Sequence, residues 1–584
     1  MRIRVKIGVL LLMSSPAMAQ LPGDRPAPNP HSTRSVVIAR NGMIATSQPL
    51  ASAAGLQVMQ EGGNAIDAAI TAAAVLAVVE PTMNGIGGDL FAIVHDGETR
   101  QLRALNASGR SPYAASPDVF ASKSLESIPD SGILSVSVPG VVDGWVELLK
   151  HHGTISLERA LTPAINYARN GFPVSEVVAH QWEDSTQKLM RDPVAASTFL
   201  HNGRAPRTGE VFSNPTLARS LELIATEGRD AFYGGPLAEA IVETSRQQNG
   251  LFAMKDFLDH RSDWVDPIST NYRGYEVYEM PPNTQGITAL QMLNLLEDYD
   301  LQTLGHNSAE YLHLVVEAKR IAFADRNAFI ADPDSVPQAV LSTLLSKNYA
   351  ALRRKEINLD YRADSYKPAN LSDQVATAEG HQDLSGRDLG DTIYMTAADG
   401  DGNVISLIQS LFGNFGSGVV AGDTGIVLQN RGSLFSLKKE HPNLLSPHKR
   451  PFHTLVPAMV FSNNRPWLSF GVMGGDMQPQ GHVQVLLNLI DFGMNIQEAL
   501  DAPTAYSAHF PSSFYPRTAY PGQLVLDGRI SDKVISELER LGHQVVKSEE
   551  WSTGEVLGIR YDKDRGVMMG GASPKRGTGY ALGW

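Results

Sequence analysis

The stretch of residues 390–410 constrains the fold more than any other part of the chain, because it predicts a long β-hairpin. Two runs rich in strand-forming residues flank the turn Asp399-Gly-Asp-Gly-Asn403. Asp, Gly and Asn tolerate the backbone angles that a tight turn requires. With Asp401 at the centre of the turn, Thr392 falls opposite Ser410. We therefore expect a hairpin of two core strands in which these two hydroxyl side chains face each other.

The residues before this hairpin suggest a site of self-cleavage. Thr392 follows Gly390-Asp391 at the start of the strand, and the preceding residues 370–387 are polar and without periodicity, which predicts a mobile loop. A cut between Asp391 and Thr392 would make Thr392 an N-terminus. Its hydroxyl would be a nucleophile and its α-amine, with a reference pKa of roughly 7.7–8.0, the base. The alternative is an ordinary strand-opening threonine.

The first nineteen residues have the pattern of a signal peptide. Three basic residues precede the short apolar run 7–13, and Ala17-Met18-Ala19 fits cleavage before Gln20. The apolar run is too short to span a membrane, and no later run reaches that length. A fortuitous apolar start is the alternative. We expect the mature chain to begin at Gln20 and to be exported to a periplasm or to the outside.

Composition excludes several classes of site. The chain has no cysteine, which rules out disulfides, a Cys nucleophile and Cys-ligated zinc. Its formal net charge of −13 becomes −16 without the basic residues of the signal segment, so nucleic acid and anionic membranes are poor candidate partners. Plain solubility also explains this charge. With 584 residues, the chain is long enough for more than one domain.

No cofactor is expected. The glycines before Asp89 lack the Lys-Ser/Thr and the strand–loop–helix order of a phosphate-binding loop. His453 and His482 have no metal-ligand spacing, so no metal is expected either.

Elsewhere the periodicity predicts helices and strands mixed along the chain. Helices are expected at 49–79 with a break at Gly62-Gly63-Asn64, at 140–152, 156–170, much of 208–255, 287–296, 308–324, 483–492 and 532–541, and strands at 36–45, 90–95, 135–139, 272–280, 425–428 and 467–473. The helix at 308–324 is expected to have a charged face, with Arg320 and Arg326 in ion pairs. This mixture predicts stacked α/β layers and not a doubly wound nucleotide fold.

Several stretches together resemble the gamma-glutamyltranspeptidase family of N-terminal-nucleophile hydrolases. They are, in chain order, Pro49-Leu-Ala-Ser52, Gly62-Gly-Asn-Ala-Ile-Asp-Ala-Ala69, Asn84-Gly-Ile-Gly-Gly-Asp89, Val138-Pro-Gly140, Gly286 in its Pro-rich loop, Gly390-Asp-Thr392, Phe415-Gly-Ser-Gly418, Lys449-Arg-Pro451, Met473-Gly-Gly475 and Gly577-Thr-Gly-Tyr580. The resemblance covers nearly the whole mature chain in collinear order.

The resemblance implies a four-layer αββα fold of the α/β class, built from two interleaved chains of one precursor. The large chain would be 20–391 and the small chain 392–584, after one cut at Asp391–Thr392. Ser410 matches the hydroxyl residue that hydrogen-bonds the nucleophile. Gly474 and Gly475 match paired glycines whose N–H groups stabilise the oxyanion. Without the resemblance, such a pair would be read as a turn.

Other positions depart from the glutathione-cleaving members. In those members an arginine binds the γ-glutamyl α-carboxylate; its position here is Ser108, with Arg110 two residues away. A pair of serines helps to hold the same carboxylate in those members, and their positions here are His453 and Thr454. We therefore expect the substrate carboxylate to be bound differently in this chain.

The residues that bind the α-amino group of the substrate in those members also differ here. The family's glutamine and aspartate fall at Arg431 and Leu434, and an asparagine near the nucleophile falls at Phe412. Arg110 or Arg431 could instead meet a distal carboxylate of the acyl group. Structural ion pairing is the alternative for both.

The resemblance implies an enzyme that cleaves, and could transfer, γ-glutamyl or related acyl groups from amides such as glutathione through an acyl-Thr392 intermediate. One alternative is an acylase of glutaryl or cephalosporin-like amides with little glutathione activity, as in the transpeptidase-like branch. A second is a binding protein that has lost turnover. The expected partners are a small-molecule or peptide amide and the two chains of the precursor, without nucleic acid or membrane.

Overall fold

The computed structural model describes residues 32–371, 390–575 and 579–584, without the side chains of Gly390 and Asp391. The expected signal peptide and nearly all of the expected loop 370–387 lie outside the described residues, as do Gly577 and Thr578.

Strands and helices are mixed along the whole described chain. The strands are β1 (Val37–Ala39), β2 (Gly42–Thr46), β3 (Asp89–His95), β4 (Leu102–Asn106), β5 (Phe172–Pro173), β6 (Val211–Phe212), β7 (Asp263–Val265), β8 (Ile268–Tyr272), β9 (Tyr275–Glu279), β10 (Gly390–Asp399), β11 (Val404–Gly413), β12 (Ala458–Ser462), β13 (Arg465–Val472), β14 (Ala505–Ser507), β15 (Gln523–Leu526), β16 (Gln544–Lys547), β17 (Val556–Asp562), β18 (Val567–Ala572) and β19 (Tyr580–Gly583). The helices are α1 (Pro49–Gln60), α2 (Ala65–Val79), α3 (Pro117–Ser122), α4 (Val141–His152), α5 (Leu157–Asn170), α6 (Glu176–Asp184), α7 (Thr186–Leu189), α8 (Pro193–Phe199), α9 (Pro215–Glu227), α10 (Arg229–Tyr233), α11 (Pro236–Gln247), α12 (Met254–Leu258), α13 (Gly286–Leu296), α14 (Leu301–Leu304), α15 (Ala309–Phe329), α16 (Gln338–Leu345), α17 (Lys347–Arg354), α18 (Met477–Ile490), α19 (Ile496–Asp501) and α20 (Asp532–Arg540).

Two seven-stranded antiparallel sheets form the centre of the molecule. The hairpin sheet has the order β19-β2-β10-β11-β3-β4-β7, and the second sheet has the order β1-β18-β17-β13-β12-β9-β8. Strands from both sides of Thr392 in sequence contribute to each sheet. The two parts of the chain that a cut at Thr392 would produce are therefore interleaved.

Three hydrophobic layers separate four layers of structure. One apolar cluster lies between the two sheets and includes Phe91, Tyr394 and Met459. A second cluster packs helices such as α2, α4, α5 and α9 against the other face of the hairpin sheet. A third packs α13, α15 and α18 against the outer face of the second sheet. The order helix–sheet–sheet–helix confirms the predicted αββα architecture.

The hairpin forms as the sequence predicts, with one irregularity. The Asp399 side chain accepts hydrogen bonds from the N–H groups of Asp401 and Asn403, each at 3.0 Å, and Gly402 has φ +90°, which glycine adopts without strain. Residues 393–398 pair with 404–409 in the expected register, but the register shifts between Asp391 and Ile393. Thr392 therefore lies in a β-bulge.

Three strand predictions are wrong or incomplete. Residues 135–139 form no strand, since the Val138 N–H and the Ser137 carbonyl are bonded to loop residues. Within the predicted strand 272–280 only β9 (Tyr275–Glu279) is continuous, because Arg273 and Gly274 adopt positive φ values of 49° and 88° and form the turn after β8. Residues 425–428 form only isolated bridges.

Helix α15 is longer and more buried than its pattern indicates. Its charged residues face inward, where Glu317 pairs with Arg320 at 2.6 Å and Arg326 pairs with Asp476 at 2.5 Å. The expected ion pairs are confirmed, and both are buried. Residues 363–369 cover these charged residues, since the N–H groups of Ala363 and Ala369 donate to acidic side chains of α15.

The close approach of the two sheets gives a stability prediction. A Cβ at Gly471 in β13 would overlap the Tyr394 ring of β10, so Gly471→Ala should lower the free energy of unfolding by about 1–3 kcal/mol. Gly234→Ala is the control, because its φ is −128° and the nearest atom to its new Cβ lies 3.5 Å away. Thermal unfolding midpoints measure both variants. An unchanged Tm for Gly471→Ala would contradict this packing.

Candidate active site

Thr392 and Ser410 meet in the bulge of the hairpin. Thr392 is 2% exposed, and its Oγ1 donates a hydrogen bond to Ser410 Oγ at 3.5 Å. The same Ser410 oxygen accepts the Phe412 N–H at 2.7 Å. Phe412 has φ +79°, a conformation that is uncommon for a bulky residue and is a mark of functional sites. The structure thus brings together the hydroxyl pair that the sequence predicts.

Contacts between the sheets align Thr392 with the glycine pair. Thr396 Oγ1 is 2.7 Å from Ser469 Oγ, and the Tyr394 ring packs on Gly471. Side chains two residues apart lie on the same face of a strand. Two residues further along each strand from the Tyr394–Gly471 contact stand Thr392 on β10 and, after β13, Met473, directly before Gly474.

Gly474 and Gly475 form a tight turn between β13 and α18. Their φ values are 105° and 50°, and a Cβ at position 475 would overlap the Phe514 ring. The Gly474 carbonyl accepts the Met477 N–H at 2.9 Å, inside the first turn of α18. In a trans peptide the N–H points away from the carbonyl. The Gly475 N–H therefore points away from α18.

Gln285 holds this turn in place. Its Nε2 donates to the carbonyl oxygens of Gly475 at 3.0 Å and Thr454 at 2.9 Å, and its Oε1 accepts from Arg326 at 2.7 Å. Arg326 also binds Asp476, which follows the two glycines. The turn and the Thr454 backbone are thus fixed by one buried network.

A buried carboxylate lies beside the hydroxyl pair. Asp89, at the start of β3, is opposite Ser410 in the register of β3 and β11. Its Oδ1 accepts the Gly109 N–H at 2.9 Å, and its Oδ2 lies 3.1 Å from His453 Nε2. Burial raises the pKa of Asp89 to about 7, although the positive charge of Arg431 acts in the opposite direction.

His453 is a neutral hydrogen-bond donor to Asp89. The Leu455 N–H donates to His453 Nδ1 at 3.3 Å, so Nδ1 carries no proton and Nε2–H points at Asp89. Burial, and next the charge of Arg431, hold the pKa of His453 well below its usual value. If His453 lies near a substrate carboxylate, as the sequence predicts, it does so as a neutral side chain.

Arg431 is buried with one edge of its guanidinium unfilled. Nη1 donates to Thr454 Oγ1 at 3.0 Å, and the guanidinium carbon lies 4.3 Å from the centre of the Phe412 ring. Nε and Nη2 have no hydrogen-bond partner among the described residues. Burial lowers the pKa of Arg431 to about 9, which still leaves it charged at neutral pH.

Of the two candidate arginines, Arg110 is engaged elsewhere. Its Nη2 donates to Asp263 at 3.3 Å, and Asp263 also pairs with Arg450. The structure thus gives Arg110 the ion pair that is the alternative to substrate binding. Ser108 is bonded to Asn106 at 2.7 Å, and Leu434 is a buried apolar residue.

Asp89 and Gln285 are the site residues that sequence reasoning missed. Both stand inside stretches that carry the family resemblance, Asn84–Asp89 and the Pro-rich loop before Gly286. Local sequence assigns neither residue a role, because the groups that Asp89 and Gln285 contact are distant in sequence.

Metal and membrane features are absent from the described part of the chain. Among residues 32–371, 390–575 and 579–584, no group of three or more His, Asp or Glu side chains could hold a metal ion. In the same residues, no helix combines the length and the apolar character that a membrane span requires.

Comparison with known proteins identifies the family. A family profile described as "Gamma-glutamyltranspeptidase" matches residues 51–584. The chain belongs to the gamma-glutamyltranspeptidase family. It is 42% identical over 554 residues to the "Glutathione hydrolase-like YwrD proenzyme" of Bacillus subtilis (strain 168), covering 94% of this chain and 99% of the relative.

Relatives with two kinds of name occur in this gamma-glutamyltranspeptidase family. The "Glutathione hydrolase proenzyme" of Bacillus subtilis (strain 168) is 32% identical over 558 residues, covering 94% of this chain and 92% of the relative. The solved structure of a cephalosporin acylase from Bacillus halodurans has a TM-score of 0.86 and 39% identity, covering 96% of this chain and 98% of that chain. The family's members named here are enzymes, and the fold of this chain is the N-terminal-nucleophile hydrolase fold.

The tautomer of His453 can be tested directly. Because its pKa is held well below the usual value, we expect its imidazole to stay neutral, with the proton on Nε2, from pH 8 down to pH 5. Imidazole ¹⁵N shifts of labelled protein measure this, with the His453→Gln variant for assignment. The resonances of His180, whose side chain is 75% exposed, serve as the solvent-exposed reference in the same spectra. Titration of His453 near pH 6.5 would contradict the structure.

Proposed function

We propose that the chain is an N-terminal threonine amidohydrolase that first cleaves its own precursor and then cleaves amides of γ-glutamyl-related acyl groups. The observation that carries this proposal is the contact of Thr392 Oγ1 with Ser410 Oγ inside a β-bulge. Membership of an enzyme family supports it. The catalytic residues are Thr392, Ser410, Gly474 and Gly475.

Maturation proceeds by an N→O acyl shift. Thr392 Oγ1 attacks the carbonyl carbon of Asp391, the peptide C–N bond breaks, and Asp391 becomes esterified to the threonine hydroxyl. Water hydrolyses this ester, which leaves the Asp391 carboxylate, the free Thr392 hydroxyl and a new α-amine. The products are a large chain ending at Asp391 and a small chain of residues 392–584, which the interleaved sheets hold together. The proenzyme names of both curated relatives support this step.

Turnover uses the new N-terminus as nucleophile and base. The neutral Thr392 amine accepts the hydroxyl proton as Oγ1 attacks the substrate carbonyl, and Ser410 orients the oxygen. The N–H groups of Gly474 and Gly475, near the N-terminus of α18, stabilise the negative oxygen of the tetrahedral intermediate. The amine leaves with a proton, and water, or an acceptor amine in transfer, then resolves the acyl-Thr392 ester.

The acyl pocket favours a distal carboxylate without an α-amine. Arg431 offers a buried positive charge with two unused donors, which a carboxylate can satisfy in a bidentate pair. An ammonium group would meet like charge from Arg431 and an apolar side chain at Leu434. The nearby carboxylate of Asp89 is already hydrogen-bonded to Gly109 and His453. The likeness to a cephalosporin acylase supports an acyl group other than γ-glutamyl.

The remaining alternative is a binding protein without turnover. The intact hydroxyl pair and glycine turn favour the enzyme. The signal-peptide pattern of residues 1–19 leads us to propose a periplasmic or secreted location.

Self-processing is tested by removing the nucleophile. Thr392→Ala should remain a single precursor chain, because no hydroxyl is present to attack the Asp391 carbonyl. Thr392→Ser keeps a hydroxyl and should still be processed. Denaturing gels of the purified proteins measure the outcome. A Thr392→Ala protein that still splits before residue 392 would show that another protease makes the cut.

Acyl preference is tested with matched anilides on the processed enzyme. We expect kcat/KM for a glutaryl anilide to exceed that for the γ-glutamyl anilide by at least about tenfold, since leaving an ammonium unpaired beside Arg431 costs more than roughly 1.4 kcal/mol. The ratio of kcat/KM reports differential transition-state binding. A preference for the γ-glutamyl compound would mean that the ammonium is bound by groups other than those described above.

A further inference from the structure

One edge of the Arg431 guanidinium faces the Asp89 carboxylate but forms no hydrogen bond with it. Nε and Nη2 form the side-on edge of the guanidinium, and both lack hydrogen-bond partners among the described residues. Asp89 Oδ2 lies 4.0 Å from Nε, which is too far for a hydrogen bond. Asp89 is held back by Gly109 and His453. Nε and Nη2 are thus the two donors that a second carboxylate could engage as a bidentate pair.

Among the described side chains, Arg431 is the one cation close to Asp89. Arg431 approaches it from the turn at residues 431–434, and His453 faces it as a neutral donor. Arg450 acts on it from farther away, and its guanidinium is bonded to Asp263 and to the carbonyl of Ser108.

Two further side chains near Asp89 carry neutral hydroxyl groups. Ser410 lies opposite it on β11, and Tyr233 interacts with it from α10. The buried pair of Asp89 and Arg431 is therefore balanced when both groups are ionised.

We propose that Asp89 is a specificity-determining positioning residue, which takes up a proton when the distal carboxylate of an acyl group binds to Arg431. This inference rests on the proposed function, and it deepens it by naming the acyl class: monoamides of short dicarboxylic acids. Two carboxylates beside one buried guanidinium cannot both stay ionised, because the second negative charge has no partner. The protonated Asp89 keeps its hydrogen bonds and leaves Arg431 to the substrate.

The titration of Asp89 places this exchange in an accessible pH range. Its pKa of about 7 in the free site means that below pH 7 the proton is already present, and binding of an anionic acyl group needs no uptake. Above pH 7 each further unit makes the protonated form about tenfold rarer. Binding of a carboxylate should weaken accordingly, whereas binding of an uncharged acyl group should not.

The first test compares glutaryl and pentanoyl anilides, which have acyl chains of equal length with and without the carboxylate. The ratio of their kcat/KM values cancels the titration of the Thr392 amine, which both substrates share. We expect this ratio to fall up to tenfold per unit between pH 7 and pH 8.5. In Asp89→Asn the ratio should not change with pH, while the Asp263→Asn control should keep the wild-type slope.

A flat ratio in the wild-type enzyme, or a slope that persists in Asp89→Asn, would overturn the inference. If the pentanoyl anilide is cleaved and the ratio is flat, the hydrolase assignment stands and only the role of Asp89 falls. If neither anilide is cleaved, the proposed function itself fails.

The second test needs neither turnover nor a variant that folds. Calorimetric titration of the wild-type protein with glutarate, in buffers of different ionisation enthalpy, counts the protons taken up. We expect uptake to rise from near zero at pH 6 towards one proton at pH 8. Absence of glutarate binding, or binding without uptake at pH 8, would overturn the inference.

Discussion

The pairing of β10 with β11 is the constraint on which the rest of the structure depends. It places Thr392 in a bulge, where the regular pairing of the two strands is interrupted. The same pairing brings Ser410 within reach of the threonine hydroxyl. Because β10 and β11 lie at the centre of the hairpin sheet, seven strands hold this geometry rigid. A nucleophile on such a scaffold needs no loop closure to be positioned.

Sequence alone predicted the parts of the fold that depend on local patterns. The hairpin turn, the break between α1 and α2 at Gly62-Gly63-Asn64 and the hydroxyl pair all follow from residues close together in the chain. The bulge at Thr392 did not, because it depends on how Leu411 and Phe412 are bound to distant loops. For the same reason the pattern of α15 leaves open whether its ion pairs are buried, since residues 363–369, which cover them, are distant in sequence.

The interaction between Arg431 and Asp89 also could not be predicted from local sequence patterns. Arg431 could be recognised as a departure from the glutathione-cleaving members, but its unfilled edge and its distance from Asp89 exist only in the folded chain. Burial is the cause of both perturbed pKa values, because a low dielectric penalises each charge separately. A buried ion pair of this kind adds little stability by itself. Its role in our account is to select the acyl group.

The central claim is that an acyl group passes through Thr392 as the N-terminal residue of the small chain. Mass spectrometry of enzyme quenched in acid during turnover of a glutaryl amide tests it most directly. The account predicts a small chain that begins at Thr392 and carries the glutaryl mass on its first residue. An uncut chain that still turns over the amide, or an acyl label on any other residue, would contradict it.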